Sequence, residues 1–512
     1  MRNLAHALCL VLLQGHAFWC APAVGQGFTR RYDLVGIGEP QVAFALEVDD
    51  NRVLILGASF ILLQNNDYYS TVVSAVLNAA GSVDATDSVI VLDHYLYPGN
   101  WNSMAKRSGG GFVAGGSTII EDGTKRFALI KIYPTGLLEF VAEYGTPGEE
   151  WIGRQAIECK DGGFLMVGET GEFGVIDGML IKTDSSGVVE WQRNYGGPLR
   201  DYFWATDTTT NEDLFVIGAR RYVEDNVEWW AMRLSALGDT IWARTWGSEF
   251  SDPIPVITTK GNGNMLFTSS WKYDQDGTMT RAYMAELGQS NGDILWERQY
   301  GPMLNFTILR VAKEITPGGG HIATGMAFAE NSSFWQGLLL RTADNGDSLW
   351  MRRYFYYDSL MTEGMGELND VVPAPDGGFI ACGFTQGAYN GPYPPGYSQD
   401  VWVVKVDSLG CIEPGCNISM GITTQITNLK GALGLAPNPA HGQCTVQVDL
   451  PLALRSPKLR LAVVSAQGQL VREQKVAHGT NTLDLSGLAP GLYHLHLANS
   501  DTWLAGAKLI IE

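Results

Sequence analysis

The chain has 512 residues, of which 45% are hydrophobic and only 17% charged, with 61 Gly, 15 Trp and 20 Tyr. That composition points to many short strands and tight turns and argues against long helices. The formal net charge of −19, with no local cluster of Lys and Arg against it, repels polyanions and excludes a nucleic-acid surface.

In chain order, residues 1–25 carry an early Arg2, an apolar stretch from Leu4 to Leu13 and small residues around Ala21, Ala23 and Gly25, which predicts a secretory signal peptide. The apolar stretch is too short to span a bilayer, and no later segment supplies the roughly 20 continuous apolar residues of a transmembrane helix. Cys20 is preceded by the bulky Trp19, a poor fit to a lipidation site.

A repeat dominates the next 390 residues or so. Short apolar runs end in Gly57, Gly116, Gly168, Gly218, Gly325 and Gly383, with Ser269 in the fifth place, at spacings of 50 to 59 residues. One supersecondary unit of about fifty residues, repeated, explains such a period. Within each unit a turn such as "DGG" (161–163, 376–378) leads to a buried strand, and a second strand such as "GMLIKTD" runs into a further turn. A third strand then carries an aromatic four residues after the turn Gly: Phe140, Trp191, Trp242, Trp296 and Trp350. With an apolar run before each first turn, the unit holds four antiparallel strands joined by hairpins.

Seven such units predict an all-β fold, a seven-bladed β-propeller over residues 26–416, whose blades hide their faces against one another. The recurrent Trp then fills space between blades, worth roughly 2 to 3 kcal/mol each. The last unit lacks its final strand, and "FTRRY" at 28–32 resembles that missing text. We expect it to close the last blade and remove the open sheet edges.

"CIEPGC" sets Cys411 and Cys416 across a Pro-Gly turn, and an exported chain makes a disulfide between them the expected pairing, worth ~2 kcal/mol for so short a loop. Cys159 and Cys382 lie in apolar strand text and read as buried thiols. Residues 417–433 are polar and Thr-rich and read as a linker or an added strand. From 434 to 512, short alternating strands between Gly, Pro and Asn turns predict a small β-sandwich.

In this last region Pro437, Asn438 and Pro439, the "SAQGQLV" hairpin with Gly468, "LDLSGLAPGLY" with Leu488, Gly491 and Tyr493, and the final run from Lys508 carry a resemblance. Together they are similar to the type A C-terminal sorting domain of type IX secretion cargo. The resemblance implies an Ig-like sandwich read by the type IX translocon and clipped by a sortase-like protease, with the passenger released or held at the outer cell surface. Composition and spacing show none of this.

No catalytic, cofactor-binding or metal-binding residue is assigned. "LGQSNGDILWERQYG" resembles quinoprotein dehydrogenase repeats, but the adjacent cysteines of those enzymes are missing, and "TDSSGVVEW" resembles the structural Asp-box of sialidases. His494 and His496 share one strand face with no third ligand implied, so solvent-facing side chains are expected. "EDGT" (121–124), "DQDGT" (274–278) and the "GGG" runs (109–111, 318–320) are expected to be plain turns rather than calcium or phosphate loops. The expected function is a secreted, non-catalytic scaffold that binds protein or glycan through its loops, chiefly 387–400 and the aromatic "YVEDNVEWW" at 222–230. Those aromatics packing onto the body is the bland reading. The alternative function is a secreted propeller enzyme, a hydrolase or quinoprotein-like oxidoreductase, to be told apart by the side chains that line the central funnel.

Overall fold

The computed structural model describes residues 27–512, less 36–39, 50–51, 63–67, 90–94, 100, 120–122, 147, 173–174, 210–211, 224–225, 251–253, 275–276, 278, 303–305, 329–334, 358–363, 388–398, 414–424, 430, 451–453, 467–468 and 500–501. The predicted signal peptide and Cys416 lie outside the described residues, as does most of the loop at 387–400. The described chain is all-β, with no helix long and apolar enough to cross a membrane.

Local chemistry makes the hairpins. In "DSSG", the Asp184 carboxylate accepts from the backbone N–H of Ser186 and of Val188, each at 2.9 Å, and Gly187 takes φ +88°. An acid that bonds its own turn and a Gly that adopts positive φ are what a tight reversal needs.

Strands so joined form, in chain order, antiparallel sheet 1 (41–89), sheet 2 (95–144), sheet 3 (150–195), sheet 4 (201–246), sheet 5 (256–300) and sheet 6 (307–357). Sheet 7 takes three strands from 364–406 and its fourth from Phe28–Tyr32, which pairs antiparallel with Asp400–Val406 from Phe28 opposite Lys405 to Tyr32 opposite Val401. Call the first strand of each sheet inner and the last outer.

The repeated Gly has a steric cause. The inner strands of sheets 1, 3, 4, 6 and 7 carry register shifts after Ala43, Gly153, Phe203, Leu309 and Leu368. Opposite those bulges sit Gly57, Gly168, Gly218, Gly325 and Gly383, where an added Cβ would lie 1.8–2.1 Å from the carbonyl oxygen of the inner strand. No side chain fits there. Sheet 5 is the exception in both respects: its inner strand pairs without a bulge over Val256–Thr259, and Ser269 stands where the Gly would be, donating to the Ile254 carbonyl at 3.2 Å. In sheet 2 the bulge grows into an excursion, 99–103, between the strands Tyr95–Pro98 and Met104–Lys106.

Buried apolar clusters join each sheet to the next in chain order. One joins the seventh to the first, packing Val372, Ile380, Cys382 and Val403 against Ala43, Leu46, Ile55 and Leu77. A polar clasp repeats at these seams. The hydroxyl of an outer-strand Tyr donates to the turn-Gly carbonyl of the following sheet: Tyr144 to Gly187, Tyr195 to Gly238, Tyr300 to Gly346 and Tyr354 to Gly410, all at 2.6–2.8 Å. Tyr32 of the strand Phe28–Tyr32 does the same to Gly81 of sheet 1 at 2.7 Å. The recurrent Trp lies beside the clasp, with Trp242 and Trp296 under the turn glycines 292 and 346, where a Cβ would come within 2.7 and 2.5 Å of the rings.

A basic third-strand residue answers an acid of the first turn in three sheets: Lys182 with Asp161 (2.8 Å), Arg233 with Asp213, and Lys405 with Asp376 (2.7 Å). Sheet 5 reverses the sign, with Glu286 in the strand and Lys260 beside the turn at 2.6 Å, and the Lys260 ammonium also reaches Asp344 of sheet 6 at 2.9 Å. Next to this network, His321 is fully buried, its Nδ1 3.0 Å from the Thr342 hydroxyl.

Burial first, then the Lys260 ammonium, hold the His321 imidazole down at about 4 against the opposing pull of Asp344, Glu286 and Glu314. The unfolded chain therefore takes up the proton first. Stability is full above about pH 6.5, falls as pH drops toward 4, and levels off below, an effect on the order of 3 kcal/mol. Replacing His321 by Phe should flatten the pH dependence of the urea midpoint across that window; an unchanged slope would count against it.

The C-terminal strands, from Leu433–His441 to Thr502–Ile511, enclose one core around Val446, Leu461, Val463, Leu483, Leu495, Leu497 and Leu509. Of the two readings of 417–433, the strand prevails in part: Gln425–Leu429 pairs parallel with Arg353–Tyr357 of sheet 6 and with Thr502–Trp503, so one sheet runs from the body into the C-terminal domain.

Candidate functional site

Five of the bulges present Phe44, Arg154, Trp204, Arg310 and Asn369 at one level, and the excursion of sheet 2 adds Trp101. These residues meet although their sheets are far apart in sequence. The Arg310 guanidinium lies 3.8 Å from the Trp101 ring centroid, Trp101 lies 6.0 Å from Trp204, and Arg154 lies 4.2 Å from the Trp204 ring. Two cations thus flank two indoles, each contact worth ~1–2 kcal/mol when desolvated. Glu367 and Glu169 neutralise Arg310 and Arg154 from behind.

Three positions further along the inner strands, about 10 Å away, stand Glu47, Asp207 and Lys313. They line a cup of about 320 Å³ together with Asn102, Lys106, Gln155, Thr206, Thr258 and Thr259, so that sheets 1 to 6 all contribute. Lys313 Nζ lies 2.9 Å from Asp370 and 4.0 Å from Glu47. Asp370 is fully buried and takes the Leu46 and Val371 N–H groups at 3.0 and 2.7 Å. Asp207 takes those of Thr259 and Thr208 at 2.7 and 2.8 Å.

Desolvation raises Glu47 above the ordinary carboxylate range, with Lys313 opposing and Asp370 adding to it, and desolvation raises Asp207 against its two backbone bonds. Burial works against the Lys313 ammonium, but Asp370 and Glu47 outweigh it, so the lysine is held charged. The cup therefore offers the Lys313 and Lys106 ammonium groups, the Glu47 and Asp207 carboxyls, and several amide and hydroxyl groups. Such a set can hydrogen-bond a polyhydroxylated ligand from many sides.

No sequence motif announced these groups. The trace that exists is a charged residue lodged three positions after the bulge in three of the inner apolar runs, "ALEVD", "WATDT" and "RVAKE", where sheets 3 and 7 carry Ile157 and Val372 instead.

The residues singled out from sequence lie elsewhere. In the C-terminal domain the Asn438 side chain accepts from Ile510 N–H at 2.9 Å and donates to the Lys508 carbonyl at 2.8 Å, which ties the "PNP" segment to the last strand. Tyr493 donates to the Ala489 carbonyl at 2.7 Å, Leu488 packs on the core, and Gly491 takes a positive φ of +155°. Pro437 and Pro439 flank Asn438, Lys508 is exposed, and Gly468 lies outside the described residues. Cys411 is disulfide-bonded, while Cys159, Cys382 and Cys444 are free thiols. Burial pushes the Cys159 thiol up to about 12.

One expectation is corrected, and of the two readings of the 222–230 aromatics packing holds for Trp229 and Trp230. His494 and His496 do not face solvent: His496 is fully buried and accepts from the Trp503 indole N–H at 2.9 Å, and His494 lies 3.7 Å from Glu413. Trp229 and Trp230 of the 222–230 hairpin are also buried, Trp229 within 5.1 Å of the Phe267 and Tyr283 rings, so they pack the sheet 4/5 seam and the adjacent core instead of offering an exposed adhesive surface. Among the described residues, no group of three or more His, Cys, Asp or Glu is placed to hold a metal ion.

Residues 435–512 match the family described as the secretion system C-terminal sorting domain. The chain thus carries the sorting tail of type IX secretion cargo, which indicates export to the outer surface or the medium. No curated protein sequence matches the chain. Among solved structures it is similar to PorZ of the type IX secretion system of Porphyromonas gingivalis, at 10% identity over 92% of this chain and 70% of that one, TM-score 0.31. A protein of unknown function from Dyadobacter fermentans matches at 9% identity over 74% and 98%, TM-score 0.43, and Sqt1 from Chaetomium thermophilum at 12% over 72% and 88%, TM-score 0.40.

Proposed function

We propose that this is a secreted seven-bladed β-propeller joined to an Ig-like sorting sandwich, and that it binds a small polar ligand of the sugar class in the cup at one end of the propeller axis. The cyclic order of the apolar clusters and Tyr clasps supports the closed ring, since each links one sheet to the next and the strand Phe28–Tyr32 links the seventh to the first. The indole and guanidinium layer supports the same closure, because Trp101 of sheet 2 reaches both Trp204 of sheet 4 and Arg310 of sheet 6. One observation carries the binding reading: polar groups of six sheets converge on a single cavity.

The test is a panel of mono- and disaccharides screened by thermal shift and calorimetry on the mature chain. At least one sugar should raise the melting temperature, and Asp207→Asn should weaken its binding tenfold or more, about 1.4 kcal/mol. A panel that leaves the parent protein unmoved would overturn the reading. A hydrolase is the second reading, favoured by the raised carboxyls of Glu47 and Asp207 in one cup, since a proton-carrying acid is what glycoside cleavage uses. It requires turnover of an aryl glycoside that Glu47→Gln abolishes.

A further inference from the structure

The outer strand of sheet 6, Ser348–Tyr357, serves two cores at once. Tyr354 and Tyr356 turn into the cluster between sheets 6 and 7, while Phe355 packs against the core of the C-terminal domain. The exchange is reciprocal. Trp503 belongs to the C-terminal domain, yet it is fully buried in the body's cluster, with Tyr354, Trp402, Val404, Cys411 and Ile412.

Around this crossing the fit is close. The Trp503 indole N–H is satisfied by His496 Nδ1 at 2.9 Å, so the ring enters the body with its own donor paired. A Cβ on Gly506 would meet Glu413 at 2.9 Å and the Trp503 ring at 3.0 Å, so the last strand lies flush against the segment that follows sheet 7. Glu413 faces His494 at 3.7 Å. Backbone pairing through Gln425–Leu429 adds five parallel partners on the sheet 6 side.

We propose that the body and the sorting domain are binding partners in their own right, so that a cut in the chain between Cys416 and Gln425 leaves them joined as a tight non-covalent complex. Three kinds of contact carry the joint: an exchanged aromatic on each side, a shared sheet, and a glycine-flat contact strip. A buried Trp seated in the partner's core is the usual anchor of a stable interface, and strand addition supplies directional bonds that survive loss of the covalent link. Severing the connector would then not free the passenger. Release would need a further step that peels Gln425–Leu429 from sheet 6 and draws Trp503 out.

The experiment inserts a specific protease site between Met420 and Gly421 of the full chain, cuts it, and measures the products by size-exclusion chromatography with light scattering. One peak of unchanged mass is expected, with dissociation slower than the column run; two separate folded pieces would overturn the proposal. Trp503→Ala in the cut chain should weaken the complex about a hundredfold. Should that variant misfold by circular dichroism, Gly506→Leu tests the same seam from its edge, and an undiminished complex there would also count against the proposal.

Discussion

Deleting residues 27–33 from the chain is expected to abolish its cooperative thermal transition. Five residues pair with Asp400–Val406, and the loss would expose a central strand along its whole length. The side chains matter as much. Trp402 is fully buried and its indole N–H donates to Thr29 Oγ1 at 2.8 Å, Arg31 pairs with Asp400 at 2.5 Å, and Tyr32 holds the Gly81 carbonyl of sheet 1. Removing them strands a buried donor and a buried carboxylate and opens the apolar cluster between sheets 7 and 1, losses that together exceed about 5 kcal/mol. That is comparable with the whole stability of an ordinary domain. Far-UV circular dichroism and limited proteolysis would follow it, and a deletion chain with the parent's midpoint would refute the account. Thr29→Val is the milder form, expected to cost ~1–3 kcal/mol through the orphaned indole alone.

Lys260→Ala is expected to have the largest effect of any single substitution outside the apolar core. The lysine side chain is 1% exposed and holds Glu286 and Asp344, and Glu286 also takes Asn264 and Trp296 at 2.7 and 2.9 Å. Without Lys260 two carboxylates face one another beside a buried histidine, a loss of ~3–5 kcal/mol. Glu286→Gln in the same background should recover part of it, because the amide removes the unpaired charge and keeps the shape. A double-mutant cycle from urea unfolding measures the coupling, and additive single effects would show that the pair does not interact as drawn.

The periodic parts of this molecule were legible because they answer local demands. A bulge needs a Gly opposite it, so Gly57, Gly168 and Gly218 recur, and Ser269 breaks the series in the sheet whose inner strand pairs without a bulge. A seam needs an aromatic and a hydroxyl at fixed distances after a turn, so Trp191 and Tyr195 return as Trp296 and Tyr300. The candidate site was not legible. Glu47, Asp207 and Lys313 meet only because sheets 1, 4 and 6 face one cavity, and the charge lodged in each of those three apolar runs does not say which runs converge. The His494/His496 pair was misjudged, and the aromatic hairpin at 222–230 stayed open between two readings, for a related reason: what covers them comes from distant segments, Glu413 and Trp503 in one case, Phe267 and Tyr283 in the other.

The strand Phe28–Tyr32 has a consequence for timing. Its partner lies some 370 residues later, and bringing two such distant segments together costs about 5 kcal/mol of chain entropy unless the intervening sheets have already stacked. Assembly must therefore run along the chain and finish where it began. While Asp400–Val406 is still to arrive, the earliest segment waits without its strand partner.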